Sequence, residues 1–320
     1  ICACLVGSEM CIRDRTYVGT YNGLCRYIAE SGKFEDIFLP VTHGISNLFV
    51  NSLLEDTVRQ CIWIGMEGYL LQYTPETGKM VAIEVFHNNS IKSLALDGNG
   101  NLLAGTDNGL YVYQNNEEPL QHIIHDSRNI QSLTNNIIWN IFSDQEHNIW
   151  LGTDYGISLS RYNSALQFVP ISQITGTGDG NQFYSLFRDS KGMYWFGGTN
   201  GLLRFIHPTG NRHEAVWYRM GDKAHPLSHN RIRHIYEDKE QQLWIATDGS
   251  INRYDYTTQE FVHYNIIDST GTYNTNWAYY IFEDDSGNLW IATCLGGIFV
   301  VDKHKLMQSK VGQYVAEYNY

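Results

Sequence analysis

The side chains best suited to binding chemistry are planar amides, aromatic rings, arginines and carboxylates that gather at a few points of the chain. The candidate ligand-binding residues are Trp139, Asp154, Tyr155, Asn181, Gln182, Tyr184, Asn200, Arg231, Arg233, His234, Asp248, Asn276, Trp277 and Tyr279. Amides and carboxylates hydrogen-bond hydroxyl groups, an arginine holds a carboxylate or sulfate through two parallel bonds, and a ring covers an apolar ligand face. This combination suits a sugar. The same residues could instead line a water-filled channel or pack against a neighbouring element.

Catalytic motifs are absent from the sequence. The chain contains no G-x-S-x-G, H-E-x-x-H or Walker loop. Among twelve histidines, we single out His234, which is flanked by Arg231 and Arg233. A lyase would require His234 and a carboxylate such as Asp248 to converge on a metal, and nothing in their spacing requires this. We therefore predict no catalytic residue, no metal site and no cofactor.

A short phrase recurs down the chain: a Trp, an apolar residue, a small residue and a Thr. Clear copies begin at Trp63, Trp150, Trp195, Trp244 and Trp290, and weaker copies begin at Tyr17 and Leu103. Consecutive anchors lie 40 to 49 residues apart. A repeat of this length that is built from strands is typical of a solenoid or a propeller.

The repeat around Trp244 predicts four strands, at 232–238, 243–247, 250–254 and 260–266. Short polar or Asp-Gly turns separate them, which is typical of an antiparallel meander. Equivalent first strands are predicted at 91–96, 137–143, 182–188 and 277–283, and the last repeat adds strands at 297–302 and near 314–320.

The recurring Trp opens the second strand of each repeat, and we predict that it packs between neighbouring sheets. Four strands that cannot cover their own faces must stack on copies of themselves, and ring closure protects the sheet edges. The predicted fold is therefore an all-β propeller of about seven four-stranded blades with a truncated first blade. It stands alone or belongs to a tandem double propeller. The acidic turns after the first strands are interpreted as structural.

Residues 1–15 are predicted to be foreign to the fold, because residues 5–15 resemble a translated sequencing adapter. The blades then occupy residues 16–320. On this interpretation the true N-terminus is missing, so the lack of a leader or anchor says nothing of the parent protein.

The overall charge narrows the classes of partner. The chain carries 34 acidic and 22 basic residues, a net charge of −12. An acidic surface argues against nucleic acid and anionic membranes as partners. Within residues 16–320 the cysteines are Cys25, Cys61 and Cys294, whose spacing fits neither a disulfide framework nor a metal site.

The strings GNLWIATCLGGIFVVDK, QLWIATDGSINRYD and NIWLGTDYGISLSRY resemble the two-component regulator propeller repeat. The likeness extends over nearly all of residues 16–320. Within that family the chain looks most like the periplasmic sensor region of Bacteroides-type hybrid two-component systems. The resemblance implies an oligosaccharide ligand derived from glycans, control of polysaccharide-utilisation genes, and a homodimeric parent. The histidine kinase, phosphorelay modules and membrane anchor would lie outside these blades.

Two other classes of function remain open. One is a propeller lyase that resembles the streptogramin-inactivating enzymes. The other is a scaffold whose loops bind another protein. We expect the non-enzymatic sensor.

Overall fold

The computed structural model describes residues 11–12, 15–37, 39, 48–83, 89–114, 121–162, 168–172, 181–205, 215–223, 226–309 and 313–320. The chain divides into two compact units, Val6–Gln173 and Ile174–Tyr320, the second joined by Ile1–Leu5. Within the described ranges the strands form seven sheets, and only one helix longer than a single turn is present. The predicted fold class, an all-β propeller of seven blades, is confirmed.

Four blades belong to the unit Val6–Gln173. Blade 1 consists of β1 (Cys11–Ile12), β2 (Arg15–Thr20), β3 (Gly23–Ile28) and β4 (Lys33–Ile37). This blade begins before residue 16, the predicted boundary, and β1 gives it a short first strand where a truncated blade was predicted. Blade 2 consists of β5 (Val50–Asp56), β6 (Cys61–Met66), β7 (Leu70–Thr74) and β8 (Lys79–Ile83). Blade 3 consists of β9 (Ile91–Leu96), β10 (Leu102–Thr106), β11 (Gly109–Tyr113) and β12 (Gln121–Ile123). Blade 4 consists of β13 (Ile138–Ser143), β14 (Ile149–Thr153), β15 (Gly156–Ser160) and β16 (Val169–Pro170).

Three blades belong to the unit Ile174–Tyr320. Blade 5 consists of β17 (Phe183–Arg188), β18 (Tyr194–Gly198), β19 (Gly201–Phe205) and β20 (Val216–Tyr218). Blade 6 consists of β21 (Ile232–Glu237), β22 (Leu243–Thr247), β23 (Ser250–Asp255) and β24 (Glu260–Ile267). Blade 7 begins with β25 (Ala278–Glu283), β26 (Asn288–Thr293) and β27 (Ile298–Asp302), after which come helix α1 (Lys303–Gln308), β28 (Gln313–Val315) and β29 (Tyr318–Asn319).

The end of the chain joins the last two blades of its unit. The strand β28 pairs in parallel with β24 of blade 6, and β29 pairs antiparallel with β27 as the outer strand of blade 7. Before them, the side chain of Asp302 caps α1 by accepting the N–H of Lys305 at 3.0 Å. The sequence predicted a last strand near residues 314–320 but neither the helix nor the parallel pairing.

Neighbouring blades share their cores. Trp195 of blade 5 packs in one buried cluster with Ile232 and Tyr254 of blade 6. The small residue of the repeated phrase lets neighbouring blades come close together. A Cβ added to Gly65 would lie only 2.7 Å from Cγ2 of Ile91 in the next blade. A larger residue there would force the blades apart, which explains the small residue in the phrase.

An aspartate, buried in four cases and partly buried in the fifth, holds the recurring Trp in five blades, and we call this pair the clamp. The indole Nε1 donates to an aspartate Oδ2 at 2.8 to 3.1 Å in the pairs Trp63–Asp56, Trp150–Asp144, Trp195–Asp189, Trp244–Asp238 and Trp290–Asp284. Most of these aspartates open the acidic turns, and their Oδ1 accepts two backbone N–H groups of the turn, as Asp144 does from Glu146 and Asn148. The acidic turns are therefore structural, as predicted.

The next blade also reaches the clamp. The hydroxyl of Tyr256, just after β23, donates to Oδ2 of Asp189 in blade 5 at 2.8 Å. Lys303, just after β27, places its fully buried ammonium 3.2 Å from Oδ2 of Asp238 in blade 6. These contacts tie the turn of one blade to the third strand of the following blade.

Candidate functional site

The first strand of blades 2 to 7 contains a β-bulge near its start. In blade 6 the pairing steps from Ile232 opposite Thr247 to His234 opposite Ala246, so Arg233 is skipped. The skipped positions, which we call the bulge residues, are Asn51, Lys92, Trp139, Tyr184, Arg233 and Tyr279. A bulged residue stands outside the ladder, and bulges commonly re-aim a side chain next to a binding site.

In the unit Val6–Gln173, two bulge residues of adjacent blades are in contact. The ammonium of Lys92 lies 4.6 Å from the ring centroid of Trp139. The indole Nε1 of Trp139 donates to Oδ1 of Asp154 at 3.0 Å, which fixes the ring. Tyr155 follows Asp154 in the turn and is 56% exposed. Three predicted residues, Trp139, Asp154 and Tyr155, therefore lie together, and Lys92 joins them.

In the unit Ile174–Tyr320, three consecutive bulge residues form a stack. The guanidinium of Arg233 lies 4.4 Å from the ring centroid of Tyr279 and 5.7 Å from that of Tyr184. Its Nε donates to Oδ1 of Asp248 at 2.7 Å and its Nη2 donates to Oδ2 at 3.3 Å. Nη1 of Arg231 lies farther from that carboxylate, at 3.8 Å. The charge of Arg233 is thus balanced by a carboxylate and enclosed by two rings.

The predicted amides of blade 5 are engaged beside this stack. Gln182 Oε1 accepts the hydroxyl of Tyr184 at 2.5 Å, and Oδ1 of Asn181 accepts the N–H of Asn200 at 3.1 Å. Asn181 is buried, and its Nδ2 lacks a hydrogen-bond partner among the described residues. These contacts order the loop residues that flank Tyr184.

His234 lies beside the bulge but points to the neighbouring blade. Its ring stacks on Tyr280 at 3.9 Å between centroids, and its Nδ1 accepts the N–H of Ile281 at 3.4 Å. Burial lowers the pKa of His234 to about 3, so the imidazole is neutral at physiological pH. Ser185 of blade 5 makes the equivalent bond to Ile235, which identifies this position as an inter-blade contact.

Trp277 is exposed and has an unusual backbone. Its φ is 54°, a left-handed conformation that is uncommon for a bulky residue, and its side chain is 48% exposed. Its N–H donates to the carbonyl of Asp248, and its carbonyl accepts the N–H of Cys294, both at 3.1 Å. Strained residues of this kind cluster at functional sites. The neighbouring Asn276 is also exposed.

Two bulge residues, Asn51 and Lys92, were missed in the sequence. Asn51 donates to Oγ of Ser90 at 3.2 Å, and Lys92 contacts Trp139 as described. The available signal was positional, because both occupy the second place of a first strand, as Trp139 and Arg233 do. A single lysine in an otherwise ordinary strand belongs to no cluster of unusual residues and so gives no local signal.

The described residues contain neither a metal-ion cluster nor a membrane-spanning helix. They contain no group of three His, Cys, Asp or Glu side chains that could hold a metal ion. Cys25, Cys61 and Cys294 are free thiols. The helix in the described part of the chain is too short to cross a bilayer.

The family model of the two-component regulator propeller matches residues 132–155, 226–249 and 272–294. Each match runs from the approach to a first strand to the end of the second strand or just beyond it, so each includes a bulge. No curated protein sequence matches the chain.

Two crystal structures show the extracellular domain of one Bacteroides thetaiotaomicron protein, classed in one as a one-component and in the other as a hybrid two-component system. They are 80% and 81% identical to this chain, cover 98% and 97% of it, and have TM-scores of 0.47 and 0.46. The chain spans 42% of the length of each.

A virginiamycin B lyase from Staphylococcus aureus is similar at 14% identity, with 88% of each chain covered and a TM-score of 0.63. At this identity the likeness concerns the fold alone.

Proposed function

Because the chain belongs to the two-component regulator propeller family, we propose that it senses a ligand for a hybrid two-component system. The similar Bacteroides protein is classed in this way, and the domain seen in its crystal structures is extracellular. We extend both properties to this chain and assign it to the periplasm. The chain spans 42% of that relative, so the remaining functions belong to a longer parent.

The bulge residues carry this proposal. The clamp repeats the same chemistry in five blades, whereas the bulge position holds an amide, an ammonium, an indole, two phenols and a guanidinium. Packing alone would favour one solution repeated from blade to blade, as it does at the clamp. Such chemical variety at one position of the repeat, seen within each unit, is typical of residues that contact a ligand.

An oligosaccharide is the ligand that suits these side chains best. Exposed rings such as Tyr155 and Trp277 can cover the C–H face of a pyranose. Amides and carboxylates, including Asn276, can bind its hydroxyl groups. The ligand would be a breakdown product of a complex glycan, and binding would switch on genes for polysaccharide use.

The signal would pass through the parent protein. We infer a parent homodimer in which ligand binding shifts the packing of the propellers. A membrane helix would carry the shift to a histidine kinase and its phosphorelay. This chain itself would act without catalysis, without a cofactor and without nucleic acid.

The test is calorimetric titration of the purified chain with defined oligosaccharides from plant, algal and host polysaccharides. We expect micromolar binding of at least one class, weakened about tenfold or more in Trp139→Ala or Trp277→Ala, since hot-spot aromatics often carry over 1 kcal/mol. Tyr318→Ala, which removes an exposed ring from the outer strand of blade 7, is the matched control and should bind normally. Absence of binding across the whole panel would refute the proposal.

The lyase alternative gains no support from its two candidate residues. The Asp248 carboxylate is paired with Arg233, and the His234 ring faces Tyr280 and Ile281. A protein-binding scaffold would use the same exposed aromatics. Loss of partner capture, with no change in sugar binding, in Trp277→Ala would favour that reading.

A further inference from the structure

We propose that Lys92 and Trp139 form an anion-binding subsite, so that the ligand is an acidic oligosaccharide bearing a carboxylate or sulfate group. This inference rests on the proposed function and narrows its substrate class. Neither the family match nor the similar structures assign a role to Lys92. Both residues belong to blades 3 and 4, which lie in one unit.

The position of Lys92 is fixed by the backbone. The bulge separates it from the ladder between Ile91 and Ser93, which pair with Thr106 and Gly105. The Ser93 hydroxyl accepts the N–H of Ile141 in blade 4 at 3.0 Å, which holds the two first strands together. Lys92 therefore projects its stem beside Trp139 from a fixed strand and not from a loose loop.

The ammonium of Lys92 has one described contact, the indole ring of Trp139 at 4.6 Å. It makes no ion pair or side-chain hydrogen bond with another described residue, and Lys92 is only partly exposed. A cation over an aromatic face is attracted by the ring but keeps its hydrogen-bonding capacity. An anionic group that approaches the ammonium would meet an available donor next to a flat ring.

The contrast with Arg233 supports this assignment. Both are bulge residues over aromatic rings, but Arg233 donates to Asp248 at 2.7 Å and lies near the rings of two tyrosines. Its charge is already compensated. Lys92 has no such carboxylate partner among the described residues, although the protein as a whole is acidic, with a net charge of −12. An uncompensated cation in an acidic protein is suited to attract an anionic ligand locally.

Two carboxylates near the subsite limit how much negative charge a bound ligand can carry. Asp154 accepts the indole N–H of Trp139, and Asp107 accepts the backbone N–H of Ser90 at 3.1 Å. Both are occupied by N–H donors. Their negative charge would oppose a dense polyanion, so the geometry favours a single carboxylate or sulfate on a sugar over a nucleic acid or polyphosphate.

The experiment compares one sugar with and without its charge. Calorimetry of the whole chain would use galacturonic acid oligosaccharides, their methyl-esterified forms, and chondroitin sulfate oligosaccharides. We expect the acid to bind about tenfold or more tightly than the methyl ester, with an advantage that falls at high salt. The chondroitin sulfate arm decides whether a carboxylate alone suffices or a sulfate is preferred.

Three variants assign the effect to Lys92. Lys92→Met should remove the preference for the acid, Lys92→Arg should keep it, and Lys79→Met on the exposed outer strand β8 should change nothing. Circular dichroism would establish that each variant folds. Because Lys92 stands outside the ladder, Lys92→Met should fold, and Lys92→Gln provides a second neutral variant.

The inference and the proposed function fail differently. Equal binding of acid and ester, or binding of neutral oligosaccharides alone, would overturn the subsite and leave the sensor intact. Acid binding that survives Lys92→Met would also overturn it. Absence of binding to every acidic and neutral oligosaccharide would remove the proposed function and the subsite together.

Discussion

The two ends of the first strand follow different rules in blades 2 and 4 to 7. At the C-terminal end, an aspartate binds the indole of the next strand, and this pair is repeated in five blades with distances of 2.8 to 3.1 Å. At the N-terminal end, the bulge residue changes from blade to blade. The clamp solves a packing problem that every blade shares, whereas the bulge residue is free of the ladder and can vary.

The difference between the clamp and the bulge shows which positions can vary in sequence without loss of the fold. A buried carboxylate with several donors cannot be altered without leaving those donors unpaired. A residue outside the ladder carries no backbone pairing of its own. Mutations at the clamp should therefore affect stability, and mutations at the bulge should affect binding more than stability.

The largest expected effect is at the clamp of blade 6. Asp238→Ala would leave the indole of Trp244, two backbone N–H groups and part of the Lys303 charge without their acceptor. We expect a loss of about 3 to 5 kcal/mol in the free energy of unfolding, as for other broken buried pairs. Urea unfolding followed by tryptophan fluorescence measures it.

The matched control is Asp285→Ala, which removes an exposed carboxylate that pairs with Lys239 at 2.8 Å. An exposed pair of this kind contributes about 0 to 1 kcal/mol. Equal losses in the two variants would contradict a special role for the clamp.

A second substitution replaces the recurring Trp of one blade by the residue found at the same position in another blade. Blade 3 has Leu103 in place of the Trp, so Trp150→Leu would give blade 4 the composition of blade 3. The fully buried indole would be lost and Oδ2 of Asp144 would lose one of its donors, so we expect a loss of about 2 to 4 kcal/mol in thermal or urea unfolding. Trp217→Leu, at a partly exposed Trp, should cost less; a larger cost there would refute the ranking.

The bulge of blade 6 should tolerate change better. Arg233→Met removes the pair with Asp248 and both ring contacts, but Arg231 remains 3.8 Å from that carboxylate. We expect a loss of about 2 kcal/mol in urea unfolding, since hydrogen bonds to charged groups contribute about 1.5 to 3 kcal/mol. Arg231→Met is the control and should lose less than about 1 kcal/mol. A loss as large as that of Asp238→Ala would place Arg233 among the clamp residues.

The smallest effect concerns pH. Burial lowers the pKa of His234 to about 3 in the folded state, below the unfolded value of about 6.5. The unfolded chain therefore takes up this proton first, and stability falls as the pH drops from about 6.5 towards 3. His234→Ser, which copies Ser185, should show a shallower fall in urea midpoint over that range. The exposed His263→Ser is the control, and identical slopes in His234→Ser and the native chain would contradict the assignment.

Local sequence signals predicted most of the strands. The second strand Leu243–Thr247 has the predicted bounds, and the first strands begin within one residue of the predictions, because alternating residues and turn residues are short-range signals. Helix α1 and the parallel strand β28 were missed. Their positions depend on distant groups, such as the contact of Lys303 with Asp238, that no local pattern shows.

The candidate site was predicted in part. Trp139 with Asp154, and Arg233 with Asp248, were among the candidate residues, and the structure brings each pair into contact. The orientation of His234 depends on the bulge, since one extra residue decides which neighbour faces the next blade. The extra residue of the bulge cannot be recognised from the sequence of one strand. It is seen only when the strand pairing of the blades is compared. Ligand contact at these residues stays a prediction.

The contacts that cross from one blade to the clamp of the preceding blade bear on how the repeat array folds. Asp189 receives the hydroxyl of Tyr256, and Asp238 receives the ammonium of Lys303, so these turns are complete only when the following blade has formed. Stability in such arrays is shared between nearest neighbours. Amide exchange in the turn after β17 should thus report the opening of blade 6. The cooperative unit of unfolding is then a pair of neighbouring blades, and unfolding proceeds in one direction along the chain.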